Sequence, residues 1–398
     1  MIFKDLFILL AFVWISRKFF QAIHFPPLFG EIFAGIIAGP LILGLVDQSQ
    51  TLTVLAELGI FFLMFHAGLE SNPKELFRAS KLALFVALGG IILPFAGGFG
   101  LSMRFGYDIN ASLFMGLGLS VTSIALSAKL FKDCKISGTR VAHVTMAAAM
   151  IDDIIALILL AIILDVTKTG NVDLEHLVTL VGKIMAYFAI IFFVGHRYFK
   201  YLYRFFYKGN KGFTFSIILA LALGLTAEMI GVPMIIGAFL AGLFLHREMI
   251  DEAVFNKIED RIYGLSYSFL GPVFFATLAF DLELSSLGTA PLFLLLILAV
   301  AILGKVLGAG LPAYHAGMSF KESLTVGLAM NNRGAVELII AAIGLKEGII
   351  TPELFSVLAI IALFTTILSI VIIKPLVPNL KDKNCHLTLG ERLTKIVT

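Results

Sequence analysis

Two adjacent carboxylates, Asp152 and Asp153, stand thirteen and fourteen residues into an apolar run that begins near Thr139 and ends near Leu164. A run of that length covers a ~30 Å hydrocarbon layer as a helix, and a charge near its centre is costly enough to require a partner or a task. Adjacent helical positions point about 100° apart, so the two carboxylates call for different partners. Lys305 interrupts Leu303-Gly304-Lys305-Val306 in the middle of a second apolar run and offers a counter-charge to one of them. Arg333 and Glu337, four apart in a third run, can pair with each other.

The chemistry available to these groups is narrow. A hard monovalent cation such as Na+ or Li+ takes oxygen ligands, which Asp153, Asp152, Thr122 and Ser123 supply. The same carboxylates can carry protons, and a site for which a cation and a proton compete meets the minimum requirement for exchanging one for the other. The competing reading, an ion pair that only braces helices, leaves the second carboxylate unexplained; for Arg333 and Glu337 bracing is the favoured reading. Asn331 and Asn332 precede Arg333 and Gly334, while Ser120-Val121-Thr122-Ser123 occupies the middle of another span. Polar residues and glycine at mid-span point to broken helices, whose free backbone groups and dipoles balance charge beside an ion. Glu228, near the end of its span, reads as structural or as a second partner for Arg333. His66 and His143 read as hydrogen-bonded helix-end residues, with pH sensing as the alternative.

These residues must be held by membrane helices. Of 398 residues, 59% are hydrophobic and 14% charged, against roughly 25% charged in soluble domains. Apolar runs and their breaks mark thirteen helices, at about 4–23, 28–46, 51–69, 80–105, 110–131, 139–165, 174–199, 213–229, 233–246, 262–280, 290–314, 322–345 and 351–374. The first run lacks a small-residue cleavage site and reads as a retained helix. With the N-terminus outside, the outer segments hold only Lys4, Arg104, Lys168 and Lys346 of the 30 basic residues, so the positive-inside rule places the C-terminus in the cytoplasm. The aromatic and basic stretch from His196 to Lys211 reads as an interfacial anchor, with no nucleic-acid partner. Cys134 and Cys385 suggest no disulfide, and no resident cofactor is expected.

The chain also repeats itself. An offset of 207 aligns Pro26, Gly30, Ala34 and Gly35 with Pro233, Gly237, Ala241 and Gly242. An offset of 212 aligns Leu58, Gly59 and Phe62 with Leu270, Gly271 and Phe274. At 211, Gly97, Gly106, Ser112 and Gly116 fall on Gly308, Gly317, Ser323 and Gly327. The expected fold is therefore an all-α membrane protein, with two inverted six-helix repeats joined by a linker helix and two broken crossing helices, the mark of alternating-access transporters. A channel or ion-sensing receptor would need a filter loop or a sensory domain, and an intramembrane hydrolase a His-Glu-x-x-His or Gly-x-Gly-Asp pattern. Neither pattern occurs.

From Pro26-Pro27-Leu28-Phe29-Gly30-Glu31 through Gly68-Leu69-Glu70 and Met150-Ile151-Asp152-Asp153 to Asn332-Arg333-Gly334-Ala335-Val336-Glu337-Leu338, the chain resembles the monovalent cation:proton antiporter-2 family and, within it, the NapA-like Na+/H+ antiporters. The resemblance implies that Asp153 carries the cation or proton, and that Asp152 and Lys305 form a salt bridge that opens when the ion binds. It further implies an electrogenic exchanger, with K+/H+ exchange on the same scaffold as the alternative. It implies a dimerising panel at 1–70 and 213–285, a mobile ion-transport core at 80–165 and 290–374, a linker helix at 174–199 and a short cytoplasmic tail at 375–398. A homodimer in the cell inner membrane follows, without the nucleotide-binding regulatory domain of gated K+ efflux relatives.

Overall fold

The computed structural model describes residues 2–23, 25–71, 80–169, 178–191, 193, 197, 212–245, 252–283 and 291–376. The tail with Cys385, and nearly all of the basic stretch from His196 to Lys211, lie outside these. The described residues form helices and no strand. Eight segments are long and apolar enough to cross a membrane: Gln50–Glu70, Lys81–Arg104, Ile109–Asp133, Arg140–Thr167, Gly212–Met229, Glu252–Asp281, Pro291–His315 and Pro352–Leu376.

In chain order the helices are α1 (Ile2–Ala22), α2 (Pro27–Ala38), α3 (Gln50–Glu70), α4 (Lys81–Arg104), α5 (Ile109–Ser120), α6 (Ile124–Asp133), α7 (Arg140–Thr169), α8 (Val178–Ile191), α9 (Gly212–Met229), α10 (Met234–Phe244), α11 (Glu252–Leu265), α12 (Gly271–Leu278), α13 (Pro291–His315), α14 (Phe320–Ala329), α15 (Ala335–Lys346) and α16 (Pro352–Leu376).

Two boundaries differ from the sequence reading, each for a local reason. The helix expected at 28–46 stops at Ala38, because Gly39 precedes Pro40 and a residue before proline avoids the helical region. The helix expected at 262–280 begins ten residues earlier, at Glu252, and passes through a π turn at Ser266–Leu270 into α12. Its first part is amphipathic, burying Phe255, Ile258 and Ile262 while carrying Lys257, Glu259, Asp260 and Arg261, so average hydropathy hides it. The spans expected at 110–131 and 322–345 are each interrupted, at 121–123 and 330–334, where the mid-span polar residues and glycine pointed to breaks.

The described chain divides into two compact units. The first comprises residues 1–77, 155–289 and 339–356, and its core gathers Leu9, Val13, Ala34, Val46, Leu52, Val273 and Ala276. The Pro-x3-Gly-x3-Ala-Gly pattern has a packing meaning here. A Cβ on Gly30 of α2 would meet the Ser16 backbone of α1 at 2.9 Å, and one on Gly237 of α10 would meet Leu223 O of α9 at 2.2 Å. One on Gly35 would meet Ala276 O of α12 at 1.9 Å, and one on Gly242 would meet Phe65 O of α3 at 2.1 Å. Only glycine lets these backbones approach so closely.

The second unit comprises residues 78–154, 290–338 and 357–398. Here α4 and α13 run antiparallel: Gly89 lies against Gly308, Pro94 against Gly304, Gly97 against Val300, and the tilted rings of Phe105 and Phe293 lie 5.0 Å apart. Gly106 and Gly317, at φ +90° and +81°, turn the chain out of α4 and α13. Asp108 then caps α5, and Ser319 with Glu322 forms a capping box on α14. Each of these features recurs 211 residues later. The contact of Gly97 with Val300 is the counterpart of Gly308 with Gly89, and Gly116 on Phe95 O is the counterpart of Gly327 on Val306 O.

Candidate functional site

The two helix breaks meet inside the second unit. After α5 ends at Ser120 the backbone is extended through Val121 and Ser123, and α6 restarts with the Ser123 hydroxyl accepting from Leu126 N. After α14 ends, residues 330–334 lead into α15. Ser123 N donates to Asn332 O at 2.7 Å, Thr122 Oγ1 to Met330 O at 2.8 Å, and Ser127 Oγ to Ala329 O at 2.8 Å. Asn332 Nδ2 donates in turn to Ser127 Oγ at 3.0 Å. Gly334 is required at this crossing, since a Cβ there would lie 2.6 Å from Ser123 Oγ.

Broken helices leave carbonyls without intrahelical donors and concentrate negative potential at the C-terminal end of each half. Two buried cations answer that need at α5. Arg333 donates through Nη1 to Gly118 O at 2.7 Å and through Nη2 to Leu119 O at 2.6 Å. Lys305 donates to the next carbonyl, Ser120 O. Arg333 also bonds Glu337 Oε1 at 2.8 Å, and its backbone N–H donates to Thr366 Oγ1 at 2.9 Å.

Lys305 sits where the breaks and α7 converge. Besides Ser120 O, its ammonium donates to Thr122 Oγ1 at 2.7 Å and to Asp152 Oδ2 at 3.1 Å, so its three donors meet three acceptors. Lys305 and Asp152 are both fully buried, and Asp153 is 4% exposed. Among the described residues Asp152 Oδ1 has no hydrogen-bond partner, nor have both polar atoms of Asn331 and Oδ1 of Asn332. The oxygens among these are of the type that coordinates a hard cation.

Of the residues singled out by sequence, the structure thus brings together Asp152, Lys305, Thr122, Ser123, Asn332, Arg333 and Glu337, with Asp153 and Asn331 buried in the same unit. Glu228 is exposed at the end of α9 in the first unit, whereas the described partners of Arg333 all lie in the second. His66 is buried, 3.9 Å from Glu70 Oε2, and His143 is exposed. Ser127 and Thr366 escaped the sequence reading. Their signal was a serine four residues, about one helical turn, after Ser123, and a Thr365-Thr366 pair inside an apolar helix.

The sodium/hydrogen exchanger transmembrane family matches residues 7–378. The Na+/H+-K+ antiporter GerN of Bacillus cereus is 32% identical over 86% of this chain and 88% of its own length. The Na+/H+ antiporter NhaS4 of Synechocystis is 31% identical over 97% of this chain and 98% of its own. The sodium proton antiporter MjNhaP1 from Methanocaldococcus jannaschii superposes with a TM-score of 0.74, covering 95% of this chain and 98% of its own at 20% identity, a likeness of fold. With its membrane-length helices and a family match spanning nearly its whole length, this chain is a multi-pass membrane protein of the sodium/hydrogen exchanger family, the monovalent cation:proton antiporters.

Proposed function

We propose that the protein is an electrogenic Na+(Li+)/H+ antiporter that works by alternating access, with Asp153 as the carrier of cation or proton and Asp152 as the second carboxylate. Lys305 is the switchable partner. The observation that carries this reading is the Lys305–Asp152 contact at the junction of two broken helices, where the same ammonium also occupies Thr122 Oγ1 and Ser120 O. A cation arriving at these oxygens repels Lys305 and takes over acceptors that its ammonium now fills. Asp153 releases its proton at that step, and if Lys305 sheds one as well, two protons leave for one Na+ and net charge moves. Ser123, Asn331 and Asn332 line the crossing, while Arg333 and Glu337 hold its shape.

Alternating access rests on an inverted repeat, which the exchange of glycine contacts at an offset of 211 supports. In this reading 80–165 and 290–374 form the moving core, 1–70 and 213–285 a dimerising panel, and 174–199 the linker. The N-terminus faces outside and the C-terminus the cytoplasm. A K+/H+ exchanger is the second reading, favoured by the likeness to GerN, whose name includes K+.

The test is Na+-, Li+- and K+-driven proton movement in proteoliposomes, with and without an imposed membrane potential, for the parent, Asp153→Asn and Lys305→Ala. Potential-sensitive Na+ exchange that Asp153→Asn abolishes is the expected result. Exchange driven by K+ alone overturns the substrate, and exchange that survives Asp153→Asn overturns the site.

A further inference from the structure

A groove outside the crossing opens between the first turns of α4 and the last turns of α13. The two helices are pressed together at Gly89 and Gly308, with the Pro312 ring against Gly89, and a hollow borders that contact. The hollow has a volume of about 540 Å3, within the range of small-molecule sites. Leu82, Phe85, Leu311 and Pro312 form its walls, with Lys81 and His315 at its mouth. Phe85 is 60% exposed and Leu311 48% exposed, so the floor opens toward the side where the surrounding solvent is hydrocarbon.

The mouth carries positive charge held in place. His315 is fixed by a 2.8 Å bond between Nδ1 and Leu311 O, which leaves Nε2 outside that bond. Arg140 at the start of α7 donates through Nη2 to Ala316 O at 3.3 Å, which brings a second permanent cation to the Ala316 side of the groove. Among the described residues that line the groove none is acidic, and Glu322 accepts from Ser319 N in its capping box. An apolar trough ending in cations matches one kind of occupant, an amphiphile with an anionic head.

We infer that this groove is a binding site for an anionic phospholipid, its phosphate held by Lys81, Arg140 and His315 and one acyl chain lying on Phe85, Leu82, Leu311 and Pro312. A free phosphate would use only the rim and leave the trough unfilled. A zwitterionic lipid would fill the trough but bring its own cation to a cationic rim. The groove ends on the helix that carries Lys305, so an occupant braces one support of the crossing.

Brominated-lipid quenching reads occupancy directly. Trp14, the single tryptophan, lies on α1 in the first unit and is replaced by Phe; Phe85→Trp then reports from the groove. In bilayers mixing brominated phosphatidylglycerol or brominated phosphatidylcholine with unlabelled lipid, the anionic lipid is expected to associate more tightly by about fivefold for each of the two permanent cations, Lys81 and Arg140, that it meets. Lys81→Gln with Arg140→Gln should bring the ratio near one. Lys81→Gln alone, at the exposed first residue of α4, should lose about half of the preference on a logarithmic scale and serves if the double variant does not fold. Residual quenching by brominated phosphatidylcholine shows that each variant is embedded. Equal quenching by both lipids in the parent, repeated with Leu311→Trp as reporter, overturns the site, as does a preference that persists without the two cations.

Discussion

Replacing Lys305 by Met should be costly at the crossing, and replacing Asp152 by Asn in the same chain should recover much of the loss. The ammonium and the Asp152 carboxylate are 3.1 Å apart and fully buried. At an effective dielectric constant of about 20 that separation corresponds to an attraction of roughly 5 kcal/mol. Lys305→Met leaves a buried carboxylate without its counter-ion and strips the donor from Ser120 O and Thr122 Oγ1, an expected loss of about 3–5 kcal/mol. Asp152→Asn keeps an acceptor for the ammonium and should cost less. In the double variant the charge imbalance disappears, so the cycle should show a coupling of about 2–5 kcal/mol. Unfolding free energies of the parent, both singles and the double, titrated with sodium dodecyl sulfate in mixed micelles, give that coupling. Additivity within about 0.5 kcal/mol would refute the ion pair as a stabilising unit.

Arg333→Met removes donors from Gly118 O and Leu119 O and leaves Glu337 buried without its partner; thermal unfolding should show a loss of about 3–5 kcal/mol, partly recovered by Glu337→Gln. Gly334→Ala places a Cβ 2.6 Å from Ser123 Oγ and 2.9 Å from Ser123 Cβ, which should cost about 1–3 kcal/mol. Ser123→Ala should relieve part of that cost by removing the nearer atom, and no relief would mean that the clash is absorbed elsewhere. Because a proton and Na+ claim the same carboxylate in the proposed cycle, protonation excludes Na+ and lower pH must weaken it. The apparent constant for Na+ in transport assays should rise about tenfold per unit fall in pH once Asp153 is protonated, for one competing proton; a constant independent of pH would separate the proton site from the cation site.

Much of this architecture is readable without coordinates, because the hydrocarbon imposes its own accounting. Runs such as 80–105 and 290–314 announce helices by length alone, and a carboxylate or lysine inside such a run stands out against its surroundings. The breaks at 121–123 and 330–334 show as polar and glycine residues at mid-span. The amphipathic start of α11 did not show, because its buried face of Phe255, Ile258 and Ile262 is averaged away by the charges beside it.

By itself the sequence determined the solvent, the family, the residues that bear charge at depth and the 211-residue echo of glycines and caps. Only the tertiary structure decided which groups touch. Helical spacing says only that Asp152 and Asp153 diverge; the pairing of Asp152 with Lys305 was implied by the family resemblance, and the structure brings the two to 3.1 Å. Nor could helical spacing say that Arg333 and Lys305 would divide the last carbonyls of α5 between them. Every residue carries a carbonyl, so an acceptor of that kind leaves no mark in the side-chain alphabet. It becomes specific only when a helix stops, loses its own donors and is laid against another chain segment that supplies them.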